Sequence, residues 1–144
     1  MATFYQVSEM DIPELARFLS EANVGEVDLQ KQYQYFVVAK DDEGEILGTI
    51  GLIPVENSGL LRSFVISPAF PAEKISELVQ YMLLVAKSRE LSSIYLVTEK
   101  QSSLAFFEAF GFERKENIAQ GIKSSPHVEK LIQQENWWFM QKIL

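Results

Sequence analysis

The sequence predicts a protein of the α/β (α+β) class, with a mixed, mostly antiparallel sheet and helices on both of its faces. Short apolar runs separated by turn residues recur through the first half of the chain, which is typical of antiparallel strands. A long amphipathic helix then lies between two apolar strands, which is the order of a parallel crossover. The 144 residues, of which 47% are hydrophobic, suit one compact domain, residues 1–144.

The N-terminal segment is predicted to be a strand followed by a helix. Thr3–Val7 alternates apolar and polar residues, and Ser8 or Asp11 caps the helix that follows, with Pro13 near its first turn. The polar segment Asn23–Gln32 is predicted to be a loop or a second, short helix. The apolar face of the first helix consists of Leu15, Phe18, Leu19 and Ala22.

Three antiparallel strands are predicted next. Tyr35–Lys40 is a strand, and the turn residues Asp41–Gly44 connect it to the return strand Glu45–Pro54. A second turn, Glu56–Gly59, leads into the strand Leu60–Ser67. The spacing of these runs predicts a hairpin extended by a third strand.

The crossover helix is predicted from Pro71 to about Glu90, and the apolar strand Ser93–Thr98 follows it. Ser102–Phe110 is predicted to be a short helix that ends at Gly111, because glycine adopts the left-handed conformation needed after a helix. Another strand follows this glycine. The apolar face of the long helix consists of Ile75, Leu78, Val79, Met82, Leu83, Val85 and Ala86.

The C-terminal part is predicted to be a loop with a short helix over Arg114–Gln134, followed by a last strand, Asn136–Leu144. Alternation along this strand places Trp138 opposite Trp137 and Phe139. One face of the strand is expected to belong to the core. The other face lines an acceptor cleft or a dimer contact, or is core as well.

Composition excludes several classes of protein. The net charge of −7 opposes general binding to nucleic acids or anionic membranes, so neither is an expected partner. The absence of cysteine excludes disulfides, Cys-ligated zinc and thiol catalysis. The only histidine, His127, is expected on a surface loop, and no metal site is predicted. Because no secretory signal or membrane-spanning run is visible, we expect a cytoplasmic protein.

Three sequence segments resemble the GNAT superfamily of N-acetyltransferases, and among its branches most resemble the ArsN-like and amino-acid acetyltransferases. LLRSFVISP, residues 60–68, is similar to the central strand of that branch. YLVTEKQSSLAFFEAFGFER, residues 95–114, is similar to its fifth strand and the following helix, and ENIAQGIKSSPHV with NWWFMQKIL is similar to its tail. The resemblance covers nearly the whole chain and implies the GNAT acyltransferase fold.

The resemblance implies acetyl-CoA as the cofactor and places its binding residues. The backbone of the strand Phe64–Ile66 would pair with the pantetheine arm, and the start of the following helix would face the pyrophosphate, since free N–H groups and the helix dipole attract anions there. Phe107 aligns with a tyrosine that many relatives use as the general acid. The implied cofactor-binding residues are Phe64, Val65, Ile66, Ala72, Glu73, Lys74, Ile75, Ser76 and Phe107.

The pyrophosphate loop departs from the family pattern, and each departure opposes binding of the acetyl-CoA pyrophosphate. Pro71 stands at the place of an Arg or Gln and has no N–H, and Lys74 stands at the place of the required glycine. Glu73 places a negative charge in the first helical turn, where it would repel a pyrophosphate. The segment therefore fits two interpretations, an ordinary helix start and a degenerate phosphate loop. Lys74 as a direct phosphate ligand is the contrary interpretation.

Candidate substrate residues lie in the middle of the strand Leu60–Ser67 and at the end of the strand Ser93–Thr98. Arg62 suits bidentate binding of a substrate carboxylate, and its alternatives are an internal ion pair or a surface position. Alternation predicts that Arg62 shares a face with Leu60 and Phe64. Thr98 and Glu99 end the fifth strand at the expected cleft, with Glu99 as the candidate catalytic base or a solvated carboxylate. Glu26 is a further candidate for the substrate pocket.

Two functions remain open from the sequence. The first is an N-acetyltransferase that moves acetyl from acetyl-CoA to a primary amine of a small, amino-acid-like acceptor, with proximity as the main source of catalysis. The second is a non-catalytic GNAT-fold domain that has lost acetyl-CoA binding and acts in binding or regulation. The resemblance also implies a homodimer as a possible assembly.

Overall fold

The computed structural model describes residues 3–22, 28–98, 101–116 and 137–144. Its seven strands form one mixed, mostly antiparallel sheet, as predicted, and the structure gives their order as β1-β2-β3-β4-β5-β7-β6. The strands are β1 Thr3–Gln6, β2 Phe36–Lys40, β3 Ile46–Val55, β4 Ser58–Ile66, β5 Ser93–Thr98, β6 Glu113–Lys115 and β7 Trp138–Ile143. The helices are α1 Ile12–Glu21, α2 Leu29–Gln32, α3 Ala72–Ser88 and α4 Gln101–Glu108, with short 3-10 turns at Glu9–Asp11 and Tyr33–Tyr35.

The turn between β3 and β4 is shorter than predicted. It consists of Glu56 and Asn57, and β4 therefore begins at Ser58 rather than at Leu60. Glu56 adopts a left-handed conformation with φ 55°, which is usual in a tight hairpin turn. Because the residue is not a glycine, the sequence does not mark this position as the turn. Gly59, which was predicted to belong to the turn, is buried inside β4.

Residue contacts divide the chain into two compact units, Met1–Ile53 with Arg62–Val85 and Pro54–Leu61 with Ala86–Leu144. In the first unit, β2 is buried along most of its length between β1 and β3. A core cluster joins this strand to α1 and α2. Its buried members are Val7, Ile12, Leu15, Leu19, Leu29, Phe36 and Val38. This is the apolar face that the helical spacing of α1 predicted, except that Phe18 is only half-buried and Ala22 is exposed.

In the second unit, β5 is the central strand. It pairs in parallel with β4 over Ser58–Leu60 and antiparallel with β7 along its whole length. Gly111 ends the segment after α4 with φ 93°, and its N–H donates to Glu108 O at 3.0 Å. The prediction of a glycine stop after this helix is therefore confirmed, and the predicted strand beyond it is β6.

The strand β4 contains a residue that breaks the regular alternation of side chains. Ser63 lies in the left-handed region with φ 52°, although it is not a glycine. Strand alternation requires extended residues, so the predicted common face of Arg62 and Phe64 does not follow across this position. A left-handed serine costs of order 1–2 kcal/mol, and such backbone strain is concentrated at functional sites.

Among the described residues, no helix is both long and apolar enough to cross a membrane.

Candidate active site

The strand segment that was predicted to face the pantetheine arm lies in the first unit and is half-buried throughout. Val65 packs against the core cluster of α1 and α2, so its side chain contributes to the hydrophobic core. Ile66 and Phe70 pack over Gly48, where a Cβ would come within 3.0 Å of each. The side chains around Phe64–Ile66 therefore anchor the strand, and the cofactor role predicted for this segment falls on its backbone.

The turn between β4 and α3 is held by Ser67. Its N–H donates to Leu47 O at 2.8 Å, which ties the turn to β3. Its carbonyl accepts from the N–H of Phe70 at 2.9 Å, and its Oγ accepts from the N–H of Ala69 at 3.2 Å. These bonds build a compact turn without any glycine between Pro68 and Ser76. The missing glycines therefore do not prevent a turn at this place.

The start of α3 keeps donor groups available. The first N–H groups of a helix have no acceptor within the helix. The N–H of Lys74 donates to Pro71 O at 2.9 Å, while those of Ala72 and Glu73 donate to no acceptor among the described residues. Ala72 and Glu73 are exposed, and Ile75 and Ser76 are half-buried. The helix start therefore presents two backbone donors to solvent, which is the arrangement that binds anions.

Side-chain charges at this helix start oppose that tendency. Glu73 is exposed in the first turn. The Nζ of Lys74 lies 3.1 Å from Oε2 of Glu77, one turn further along the helix. Both partners of this pair are about one third to one half exposed, so the pair contributes about 0–1 kcal/mol and breaks easily. The residues that were predicted to meet a pyrophosphate thus carry one carboxylate, Glu73, and one ammonium group, Lys74, and the carboxylate of Glu77 lies beside them.

Arg62 lies in the same unit, directly before the left-handed Ser63. Its Nε donates a hydrogen bond to Ser63 Oγ at 3.2 Å. Burial lowers the pKa of Arg62, although a guanidinium stays charged in proteins. No carboxylate among the described residues lies within 4.0 Å of its nitrogens. Of the predicted alternatives, an internal ion pair is thus absent from the described part of the chain.

The remaining predicted residues lie in the second unit or outside the described part. Thr98 is half-buried at the end of β5, opposite Trp138 of β7. Phe107 is buried and makes edge contacts with Phe106 and Phe112 at ring-centroid distances of 5.0 and 5.5 Å. Its packing role is plain, and its contact with a cofactor stays a prediction. Glu26, Glu99 and His127 lie outside the described residues.

Sequence reasoning missed Ser63 as the partner of Arg62. No signal in the sequence marks it, because a left-handed residue in a strand is usually detected through a glycine or asparagine. The sequence likewise left undecided whether the neighbouring Arg62 lies in the interior or at the surface. Both features depend on how β4 packs, which composition and periodicity do not report.

Comparison with known proteins supports the architecture. A model of the "Acetyltransferase (GNAT) family" matches residues 4–112. The "Uncharacterized protein YwlB" of Bacillus subtilis (strain 168) is 32% identical over 143 residues, which cover 96% of this chain and 97% of that protein. The match therefore extends over nearly the full length of both proteins.

Solved structures share the fold at low sequence identity. N-acetylglutamate synthase from Neisseria gonorrhoeae, complexed with coenzyme A and N-acetyl-glutamate, superposes with a TM-score of 0.77 at 17% identity; all of this chain is covered, but only 35% of that one. Rv2747 from Mycobacterium tuberculosis, in complex with CoA, gives 0.77 at 18% identity, with 99% of each chain covered. An acetyltransferase of the GNAT family from Staphylococcus aureus Mu50 gives 0.72 at 20% identity, with 100% and 99% covered.

The predicted GNAT acyltransferase fold is confirmed by these similarities. The family match confirms the predicted class of enzyme, an acetyl-CoA-dependent N-acetyltransferase. With a family model over most of its length and a full-length relative at 32% identity, this chain belongs to the acetyltransferase (GNAT) family.

Proposed function

We propose that this protein transfers an acetyl group from acetyl-CoA to the primary amine of a small, amino-acid-like acceptor, and that residues 1–144 act as one domain of the ArsN-like and amino-acid branch. The motifs of residues 60–68 and 95–114 support the branch. N-acetylglutamate synthase, one of the structurally similar proteins, is complexed with N-acetyl-glutamate, which is an acetylated amino acid.

The observation that carries the proposal is the half-buried Arg62. A guanidinium that has lost water and has no carboxylate partner among the described residues is stabilised when an anion binds it. Its planar fork matches a carboxylate in bidentate geometry. Ser63 Oγ accepts from the Nε–H group of Arg62, and the two terminal nitrogens have no acceptor among the described residues, so they can bind a carboxylate. The acceptor's carboxylate is the anion we assign to this group.

Acetyl-CoA supplies an activated acyl group in the form of a thioester. In the transfer, the N–C bond of the amide forms while the C–S bond breaks; the amine nitrogen loses one proton and the thiolate sulfur gains one. The residues of this chain bind and orient the two reactants. We assign proton removal from the ammonium group to Glu99 and acceptor contact to Thr98.

The start of α3 fits the pyrophosphate of acetyl-CoA, with reduced affinity. The backbone donors of Ala72 and Glu73 are available, and Lys74 reaches the same turn once it leaves Glu77. Pro71 offers no donor, and the Glu73 carboxylate opposes an anion. We therefore propose a degenerate phosphate loop that binds acetyl-CoA through fewer backbone donors than a glycine-rich loop offers.

The first experiment measures binding of acetyl-CoA by thermal shift and calorimetry. A ligand at one hundred times its dissociation constant stabilises the folded protein by about 2.7 kcal/mol. No shift and no heat at millimolar acetyl-CoA would contradict the proposal. The second experiment compares acetylation of free amino acids with acetylation of their amides. We expect the acids to be better substrates.

The contribution of Arg62 is tested with Arg62→Gln against Arg17→Gln, which removes the same charge from an exposed position of α1. Hydrogen bonds to charged groups contribute about 1.5–3 kcal/mol, so the variant should raise KM for the acid by roughly 10- to 100-fold. The KM for the amide and the control variant should change little. An equal loss for acid and amide substrates would show that Arg62 does not bind the carboxylate.

The alternative function is a GNAT-fold domain that binds or regulates without catalysis. The carboxylates of Glu73 and Glu77 at the start of α3 favour it, since both disfavour a bound polyanion. This alternative predicts that acetyl-CoA causes no thermal shift. Measurable acetylation of any small amine would exclude it.

A further inference from the structure

A cavity of about 520 Å³ lies in the second unit, where β6 ends and β7 begins. This volume lies within the usual range of small-molecule sites, which is about 300–1,000 Å³. The described lining consists of Arg114, Lys115, Glu116, Trp137, Trp138 and Phe139. The alternatives for the aromatic strand were core, an acceptor cleft and a dimer contact. Phe139 is buried, whereas both tryptophans are half-buried and line this cavity.

Strand pairing connects this cavity with the predicted acceptor residue Thr98. In the antiparallel pair of β5 and β7, Thr98 lies directly opposite Trp138. On the other side of β7, Lys115 lies opposite Phe139. The cavity therefore begins one strand away from the end of β5, where the acceptor is expected to bind. An acceptor held at Thr98 needs to extend only by one strand spacing, roughly 5 Å, to reach the tryptophans.

The aromatic lining is suited to a flat, unsaturated group. Trp137 and Phe139 meet edge to face, with ring centroids 4.6 Å apart and an interplanar angle of 64°. A third ring that enters beside them finds the edges and faces of large aromatic side chains, which attract another ring more than an aliphatic chain of the same size. The two tryptophans are the only ones in the chain, so half-burial of both at one cavity concentrates this property there.

Charges around the cavity give little preference for a cationic or an anionic ligand. The lining carries two cations, Arg114 and Lys115, and one carboxylate, Glu116. Each cation also has an exposed carboxylate nearby, Glu108 at 3.8 Å from Arg114 Nε and Glu113 at 3.4 Å from Lys115 Nζ. Because positive charge does not prevail, the aromatic rings decide which acceptor side chain fits best.

We propose that this cavity holds the side chain of the acceptor and selects an amine that carries a neutral aromatic ring, with Trp138 as the specificity-determining residue. The inference rests on the proposed acetyl transfer, since it names the acceptor of that reaction. Aromatic amino acids are then better substrates than acceptors without a ring, which include aliphatic amino acids of similar size, lysine and polyamines. The aromatic preference amounts to about two- to twelvefold in kcat/KM between phenylalanine and leucine.

The test uses intrinsic fluorescence, because both tryptophans of the chain report on this cavity. The full-length protein is titrated with L-phenylalanine, L-leucine and L-lysine, with excitation at tryptophan only. We expect a saturable change with L-phenylalanine and weaker ones with L-leucine and L-lysine, whose side chains carry no ring. This measurement needs no turnover, so it separates failure of the cavity assignment from failure of acetyl transfer.

The matched variants lie on the same strand. Trp138→Leu keeps apolar volume but removes the ring, and Ile143→Leu changes an exposed residue at the far end of β7. We expect Trp138→Leu to raise KM for L-phenylalanine about two- to twelvefold with an unchanged KM for acetyl-CoA, Trp138→Phe to restore much of the loss, and Ile143→Leu to behave like the wild type.

Two results would overturn the inference. One is an unchanged phenylalanine-to-leucine ratio in Trp138→Leu. The other is acetylation of aliphatic or cationic amines in preference to aromatic ones, without any fluorescence change on addition of L-phenylalanine. If Trp138→Leu does not fold, the wild-type titration and the wild-type substrate ranking decide the question. Acetylation of an aliphatic amine would still support the proposed transfer, so the two failures are distinguishable.

Discussion

Replacing Glu73 by Gln should make this protein less stable and at the same time a better binder of acetyl-CoA. Glu73 is exposed in the first turn of α3, where a negative charge interacts favourably with the helix dipole. Glu73→Gln removes that interaction and keeps the size of the side chain. The empty protein should lose about 0.3–1 kcal/mol of unfolding free energy.

The same substitution should strengthen the binding of acetyl-CoA. A pyrophosphate on the N–H groups of this turn would lie about one helical turn, roughly 5 Å, from the Glu73 carboxylate. Because the side chain is exposed, the dielectric constant is close to that of water, and the repulsion amounts to about 0.8 kcal/mol per unit charge. Removal of the carboxylate should therefore tighten acetyl-CoA binding roughly fourfold per unit charge on the neighbouring phosphate.

The assay combines urea denaturation of the free protein with calorimetric titration of acetyl-CoA. The control is Glu90→Gln, which makes the same change of charge just beyond the other end of α3. Because the repulsion is screened by salt, the gain of Glu73→Gln should shrink from low salt to about 1 M salt, where the Debye length is about 3 Å. An unchanged or weaker affinity at low salt would refute the reasoning, because the pyrophosphate would then not lie at the start of α3.

Three further predictions concern stability. Gly51→Ala should lower the free energy of unfolding by about 1–3 kcal/mol, because the new Cβ would lie 2.6 Å from the ring of the fully buried Phe36. Urea denaturation measures this loss. If the loss is as large in a Phe36→Leu background, the clash with Phe36 is not its cause. Glu90→Gly should raise the free energy of unfolding by about 0.5–1 kcal/mol, because Glu90 is left-handed with φ 62° and glycine adopts this conformation without strain. A lower thermal midpoint of the variant would refute this prediction. Burial raises the pKa of Asp11, but hydrogen bonds from Lys40 and Ser8 outweigh this and hold it below its ordinary value, while the bond to Asp11 raises the pKa of Lys40. The ion pair between Lys40 Nζ and Asp11 Oδ1, 2.8 Å long, therefore stabilises between about pH 4 and pH 10, as acid protonates Asp11 and alkali deprotonates Lys40. Lys40→Met should lose about 1–3 kcal/mol at pH 7 and less at pH 3; an equal loss at both would speak against the pair.

The order of strands and helices followed from the sequence because its signals are local. Periodicity defined the buried faces of α1 and α3, and Gly111 marked the end of the segment after α4. Boundaries were less accurate where the determining residue is not a typical one. Glu56 turns the β3–β4 hairpin in a left-handed conformation, so the predicted turn Glu56–Gly59 was two residues too long.

The candidate site was predictable in part. The sequence by itself determined which residues stand at the β4–α3 turn, that no glycine is among them and that Glu73 and Lys74 enter the first helical turn. These are properties of residue type and spacing, and they hold before any contact forms. The predicted base Glu99 lies outside the described residues, so its role stays a proposal.

Only the tertiary structure decided what those side chains meet. It bonded Arg62 to a left-handed Ser63, paired Lys74 with Glu77 and brought Trp137 and Trp138 to one cavity with Arg114 and Lys115. The pair of Lys74 and Glu77 follows from i,i+3 spacing on one helix, whereas the left-handed Ser63 and the cavity depend on how the strands pack, which neither periodicity nor composition reports. The sequence therefore determined the family and the order of its elements, whereas packing decided which charges are free and which rings are open to a ligand.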